Sequence, residues 1–307
     1  MTGFLLRRLA QGVPTFLIVV AAAFFMIRLA PGGPFDLERP LPQAAMENLR
    51  RVYGLDAPLP EQFFCYLAAL AQGDFGPSFS FRDLTVADLF ARGLPVSMTL
   101  GALALALSLS LGIALGSLAA LQRGRFADRG VGLLVALGLA APSFVVAPLL
   151  QILFGLTLRW LPVGGWEGGA PANLVLPVLT LALPQAAVFA RLTRGALVEA
   201  LAEPHVRTQR AMGLPPLQVL RHALRAALLP VLALLGPLAA ALLTGSVVVE
   251  TIFGLPGIGR YFVDGALNRD YTLVMGTVVL VAGLVILLNI ATDLLAAWLD
   301  PRQRRVP

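Results

Sequence analysis

Few residues in this sequence belong to types that do chemistry, and the densest group of them lies in one stretch, RTQRAMGLPPLQVLRHALRAALLP, at 207–230. Four arginines, one histidine and three prolines there interrupt an otherwise apolar chain. The chemistry these types support is recognition. His205 and His222 are the only histidines and have no cysteine or acid at zinc-ligand spacing, so no metal site follows. All 23 basic side chains are arginine, whereas a P-loop needs a lysine on the β/γ-phosphates; the chain is not itself a P-loop ATPase. The single cysteine, Cys65, excludes an intrachain disulfide and a thiolate cluster, and reads as a small buried apolar residue. No Ser-His, paired-aspartate or His-Glu-x-x-His arrangement falls within an apolar run, which disfavours an intramembrane enzyme.

The elements that position this stretch follow from composition. Hydrophobic residues make up 58% of the 307 and charged residues 13%, against about 25% charged in soluble domains, and the mean hydropathy is +0.82. This composition predicts an all-α membrane protein, with no room for a large soluble catalytic domain. The net charge of +6 belongs to loop topology rather than to nucleic-acid binding. Six charge-free runs, 9–27, 93–122, 130–158, 168–190, 226–249 and 271–292, predict six transmembrane helices, since crossing takes about 20 apolar residues. The first run is longer than the h-region of a signal peptide and lacks a clear cleavage site, so it reads as a retained span. With the N-terminus inside, fourteen arginines fall on the cytoplasmic side, against Arg159, Arg260 and Arg269 in the short external loops. Both termini are therefore expected to be cytoplasmic.

Three segments result: 1–30, the N-terminus and first span; 31–95, an external helical loop; and 96–307, a five-helix core that includes a cytoplasmic loop at 191–229. Within the external loop, PQAAMENLRRVYG and PEQFFCYLAALAQG each open on proline and close on glycine, as two short helices would. A third helix is expected after Thr85, and the aromatic turn GDFGPSFS suits a contact surface. Pro142 and Pro148 interrupt the third span, and Pro177 and Pro184 the fourth, as in transporters and channels. No span interior holds an ionisable residue, which disfavours a secondary transporter driven by protons or sodium. Glu250 and Asp293, at span ends, read as structural ion pairs or helix caps. Ser143, Gln151, Thr180, Gln185, Thr244, Ser246 and Asn289 are the candidate pore-lining residues, with hydrogen bonding between helices as their other reading.

Within the cytoplasmic loop, Pro204 can open a short helix that Gly213 closes, and Pro215 and Pro216 open another with Leu217, Leu220, Leu224 and Leu228 on one apolar face. Arg207 with Arg210, and Arg221 with Arg225, are like charges three or four apart that a negative surface would offset. Lipid headgroups suit Arg191, Arg194, Arg221 and Arg225; for the short helix a protein groove fits better.

At these residues the chain resembles a known family. RTQRAMGL followed by RHALRAALLP resembles the cytoplasmic coupling motif of binding-protein-dependent ABC transporter permeases, in the peptide and nickel branch. RLAPGGPFDLERPLP, GDFGPSF, LPVGGWEGGA and ETIFGLPGIGRYFVDGALNRDY, in that order along the whole chain, resemble the B-type membrane component of oligopeptide permeases. The widespread motif opens Glu-Ala-Ala where this chain has Arg207, Thr208 and Gln209. The resemblance implies a type I importer architecture in a bacterial inner membrane, with a large periplasmic loop between the first two helices. It also implies a homologous second permease, two cytoplasmic ATP-binding subunits that hold ATP and magnesium, an external peptide-binding protein and an oligopeptide cargo. Dipeptides, nickel or another small solute are the alternative cargo. Residues Pro204, His205, Val206, Arg207, Thr208, Gln209, Arg210, Ala211, Met212, Gly213 and Leu214 would then dock on an ATPase, and the chain itself would hold no cofactor, metal or catalytic residue.

The arginine argument is checked by labelling. In a Cys65→Ala background, Gln43→Cys and Glu167→Cys are expected to react with an impermeant thiol reagent outside intact spheroplasts, and Arg123→Cys, Gln209→Cys and Arg304→Cys to stay unlabelled. The reverse pattern would invert the topology.

Overall fold

The computed structural model describes residues 2–29, 57–81 and 83–299, and every regular element among them is helical. In chain order these are α1 (Thr2–Leu29), α2 (Leu59–Ala71), α3 (Val86–Leu121), α4 (Phe126–Ala140), α5 (Ser143–Leu150), α6 (Pro171–Ala202), α7 (Pro204–Ala211), α8 (Pro216–Ala233), α9 (Leu235–Phe253), α10 (Ile258–Leu267) and α11 (Tyr271–Leu299). Prolines stand in the first turns of α2, α6, α7 and α8, where a missing N–H costs nothing. The all-α architecture expected from composition is present. Helices α1, α3, α6, α9 and α11 are long and apolar enough to cross a membrane, and α4 with the segment Ser143–Thr157, bent by 105° at the break, passes the same test as a pair.

That bend is the interruption expected at Pro142. The break falls at Ala141 and Pro142, where Ala141 is extended, as the proline ring disfavours the α conformation of the residue before it. Pro148 lies inside α5, which continues as a π-helical stretch over Gln151–Thr157. Pro177 and Pro184 leave α6 continuous.

The helix expected after Thr85 is real but is no separate loop element. Thr85 and Asp88 form a capping box, with Asp88 N–H donating to Thr85 Oγ1 at 3.1 Å and Thr85 N–H to Asp88 Oδ2 at 3.0 Å. From that cap α3 runs 36 residues without a break to Leu121, so the boundary expected at Pro95 falls inside a helix. Of the two short loop helices, α2 is present; the other, at 42–54, lies outside the described residues. Cys65 on α2 is exposed, against the expectation of burial, because the inner face of α2 is taken by Phe63 and Tyr66 against Phe24 of α1.

The centre of the bundle is the crossing of α3 and α6. A Cβ added at Gly116 would lie 2.5 Å from Ala190 O and 2.7 Å from Thr193 Cβ, and one added at Gly112 would lie 3.1 Å from Ala190 N. The two backbones are in contact there. Among lipid tails apolar burial gives no drive to associate, and close packing of small residues takes its place. At the margin of the bundle α1 is held to α11 by Arg8 and Asp293 at 3.1 Å, the ion-pair role expected for Asp293.

GDFGPSFS is pinned from within. The buried Asp270 accepts from Ser78 Oγ at 2.5 Å, Phe79 N–H at 2.9 Å and Ser80 N–H at 3.0 Å through Oδ2. Its Oδ1 accepts from Leu273 N–H at 3.0 Å, at the head of α11.

Replacing Gly116 by leucine forces side-chain atoms into the α6 backbone. Such overpacking costs about 1–3 kcal/mol, so Gly116→Leu is expected to lower the melting midpoint in detergent by about 5 °C or more. Gly130→Leu, where an added Cβ meets nothing within 4 Å, is expected to leave it unchanged. Equal midpoints for the two variants would remove the crossing as a source of stability.

Candidate functional site

The stretch that stands out in the sequence folds into two helices hung beneath α6. Helix α6 ends at Ala202, and Glu203 turns the chain so that Pro204 opens α7, with Val206 and Arg207 N–H donating to Glu203 O at 3.1 and 3.3 Å. The expected loop at 191–229 is thereby narrowed: 191–202 belongs to α6 and 216–229 to α8, leaving α7 and its two turns as the projecting part.

Helix α7 closes as its glycine predicts. Gly213 has φ 77°; Leu214 N–H donates to Gln209 O at 3.2 Å and Gly213 N–H to Arg210 O at 3.0 Å. These two bonds are the Schellman pattern. One side chain of α7, Val206, is fully buried, among Ala120, Leu197, Ala200, Val219, Ala223 and Ala227. Leu214 packs against the same cluster. The other residues of the helix face outward: Pro204, His205, Arg207, Thr208, Arg210 and Ala211 are exposed, as are Met212 and Gly213, and Gln209 is half-buried. Gln209 Oε1 lies 3.2 Å from His222 Nδ1, joining α7 to α8. Thr208 Oγ1 donates to its own helix at Pro204 O.

Helix α8 corrects one expectation. Its buried line is Val219, Ala223, Ala227 and Val231, one position off the expected leucine face. Leu217 is 76% exposed; Leu220 and Leu224 flank the contact, and Leu228 packs higher up beside Phe189. Alanines hold the contact line because α8 lies close against α6, and leucines fit only at its edges.

Eight residues before the end of α6, Arg194 grips Asp128 of α4 with two bonds, Nε to Oδ1 at 2.6 Å and Nη2 to Oδ2 at 2.9 Å. Asp128 Oδ2 also accepts Gly124 N–H at 2.9 Å. The turn between α3 and α4 is thus fixed to the shaft that carries α7. A lipid headgroup was the expected partner of Arg194, and a bidentate carboxylate takes that place.

Helix α7 is thus a capped helix with exposed arginines, attached to a bundle of membrane-length helices. Residues 112–305 match the family described as binding-protein-dependent transport system inner membrane component, and residues 1–100 match its companion, the N-terminal part of such membrane components. The chain belongs to this family. The oligopeptide transport system permease protein OppB of Escherichia coli strain K12 is 50% identical over 305 residues, spanning 99% of this chain and 100% of the relative. OppB of Salmonella typhimurium strain LT2 is 49% identical over the same span. The dipeptide transport system permease protein DppB of Bacillus subtilis strain 168 is 39% identical over 303 residues, 98% of each chain.

In this transport-system component the polar span residues are dispersed. Thr180 Oγ1 donates to Leu176 O at 2.8 Å and Ser246 Oγ to Leu243 O at 2.7 Å, both buried and both within their own helices. Gln151 Nε2 donates to Val163 O at 2.7 Å and holds the loop that follows the π-helical stretch. Ser143 stands half-buried at the start of α5. Gln185 is half-buried, with its Oε1 unpartnered among the described residues. Asn289 on α11 faces Gly236 of α9, where an added Cβ would come within 2.7 Å of Asn289 Oδ1. Thr244 lies on α9, and its side chain is outside the described residues.

Two buried acids, Asp128 and Asp270, escape the sequence reading, which uses charge itself to mark where spans end. Glu250, which that reading does name, lies inside α9 with no exposed surface. The cap role expected for it is present, since it accepts the N–H of Gly259 in the first turn of α10 at 2.7 Å. The available signal is the pair of glycines, Gly257 and Gly259, at which an added Cβ would reach the Glu250 carboxylate.

Gly213→Ala isolates the cap of α7: space is free around an added Cβ, but the left-handed backbone is strained by about 1 kcal/mol, or about fivefold in the frayed population. Trypsin is expected to cut the detergent-solubilised Gly213→Ala protein after Arg207 and Arg210 about fivefold faster than the parent. An unchanged rate would show that the cap does not hold the helix.

Proposed function

We propose that this chain is a transmembrane permease subunit of an ATP-driven importer of oligopeptides, forming half of the translocation path. It sits in a bacterial inner membrane with both termini cytoplasmic. It pairs with a homologous second permease and receives peptide from an external binding protein. Two cytoplasmic ATP-binding subunits hold the nucleotide and magnesium, which accords with the absence of lysine from this chain. The observation that carries the reading is α7: a helix rooted by one buried valine, closed by a glycine cap and presenting Arg207 and Arg210 outward. Oligopeptide cargo is favoured over dipeptides by the higher identity to the OppB proteins than to DppB.

In this reading, closure of the ATP-binding subunits displaces α7 as a rigid body. Val206 and the Leu214 side chain pass the displacement to the cluster between α6 and α8. The close α3–α6 crossing and the Arg194–Asp128 pair then leave α6 no freedom to slip past α3 or α4. Packed elements of this kind move as units.

The charge of the docking face is the test. Arg210→Glu reverses charge on an exposed side chain; peptide-stimulated ATP hydrolysis in vesicles containing all the subunits is expected to fall at least tenfold, with membrane insertion unchanged. Normal stimulation together with normal copurification of the ATP-binding subunits would count against α7 as the docking element.

A further inference from the structure

At the end of α9 opposite to the one that follows α8, several elements fasten to one helical turn. Gly165 N–H donates to Phe253 O at 2.8 Å, bringing in the loop before α6. Glu250, one turn earlier, brings in α3 and α10 together. Its Oε1 accepts from Ser97 Oγ of α3 at 2.6 Å, and its Oε2 accepts from Gly259 N–H at 2.7 Å and Arg260 N–H at 3.4 Å. Ser97 Oγ in turn accepts Ile258 N–H at 2.9 Å.

The three leading N–H groups of α10, which no helical carbonyl can reach, are therefore all answered by this pair of side chains. Ser97 uses both capacities of its hydroxyl, donating to the carboxylate and accepting from the helix. Among the described residues, Ser97 Oγ–H and the N–H groups of Gly259 and Arg260 all donate to the Glu250 carboxyl group. The approach is close enough to require glycine on the other side: a Cβ at Gly257 would lie 2.7 Å from Glu250 Oε1, and one at Gly259 would lie 2.9 Å from Oε2.

The other end of α3 is locked to α6, and α6 leads into α7. We propose that Glu250, gripped by Ser97, is a positioning residue for transport: it keys α10 to α3, so that α10 is carried with α3 whenever α7 is displaced. Helix α10 then holds a fixed relation to the shaft of the bundle in every state of the cycle. The role assigned to Glu250 rests on the transport reading above.

The test uses the full complex in vesicles, with peptide and its binding protein outside. Ser97→Ala removes both bonds of the hydroxyl; it is expected to retain assembly and basal ATP hydrolysis while peptide uptake falls at least tenfold. Ser97→Thr, which keeps the hydroxyl, restores uptake to within about twofold of the parent. Glu250→Gln reproduces the Ser97→Ala defect, and the double variant is no worse than either single one, as for two residues acting as one unit. Uptake at the parent rate in Ser97→Ala, or a loss of assembly and basal hydrolysis in proportion to uptake, would overturn the proposal.

A second measurement does not depend on transport. Spin labels at Leu103→Cys and Leu267→Cys, both exposed positions, in a Cys65→Ala background report the separation of α3 and α10. The parent is expected to give the same narrow distance in the nucleotide-free and ATP–vanadate-trapped complexes, and Ser97→Ala a broadened one. A parent distance that shifts on trapping would overturn the proposal. A parent complex that imports no peptide would instead sink the transport reading, and the label distances would still decide the role of Glu250.

Discussion

Hydrogen-bond donors at a helix start have no helical carbonyl of their own to meet, and a side chain can answer them instead. Three acids of this chain sit where that constraint places them. Thr85 with Asp88 closes the head of α3, Glu250 with Ser97 the head of α10, and Asp270 the head of α11. Proline solves the same problem at α6, α7 and α8 by removing a donor. Two of these caps also join distant parts of the chain: Asp270 holds the turn at 78–80, and Ser97 lies on a helix remote in sequence from α10. Satisfying the backbone and assembling the tertiary fold are here one event.

The middle of the bundle works by a different rule. Contact between α3 and α6 comes from missing side chains at Gly112 and Gly116, and contact between α6 and α8 from alanines 223 and 227. Large apolar residues of α3 and α6 are divided: Leu100, Leu176, Phe189 and Leu197 are buried, whereas Leu103, Leu118 and Leu183 are exposed. The usual soluble pattern, in which leucine marks the buried face, is displaced by one position along α8, leaving Leu217 exposed. A glycine replaced at a crossing would separate two backbones.

Legibility of the sequence follows this division. Spans of membrane length are readable because apolar runs report their surroundings directly, and α7 and α8 are readable because proline and glycine act on the backbone locally. The interruption at Pro142 is readable too, but its 105° angle is not, since Pro148 lies in the same run and stays helical. The start of α3 at Thr85 is readable, but its continuity with the second span is hidden because charges at Asp88 and Arg92 imitate the edge of a span. The same imitation hides the burial of Glu250, although its cap role is readable. Burial of Cys65 depends on the azimuth of a short helix, which Phe63 and Tyr66 decide against Phe24, and no composition rule reports it. The Arg194–Asp128 pair joins residues 66 positions apart, a separation at which no local pattern speaks.

Helix α7 touches its own bundle through a single fully buried side chain, Val206. Inward and outward requirements on this helix therefore fall on different positions. The valine answers to the packing beneath it, while Arg207, Arg210, Ala211 and Met212 answer only to whatever sits below. A lineage can rewrite its outward residues in step with a diverging partner without disturbing the membrane core. The departure of the exposed Arg207 and Thr208 from the Glu-Ala pattern is the kind of drift such a separable joint permits.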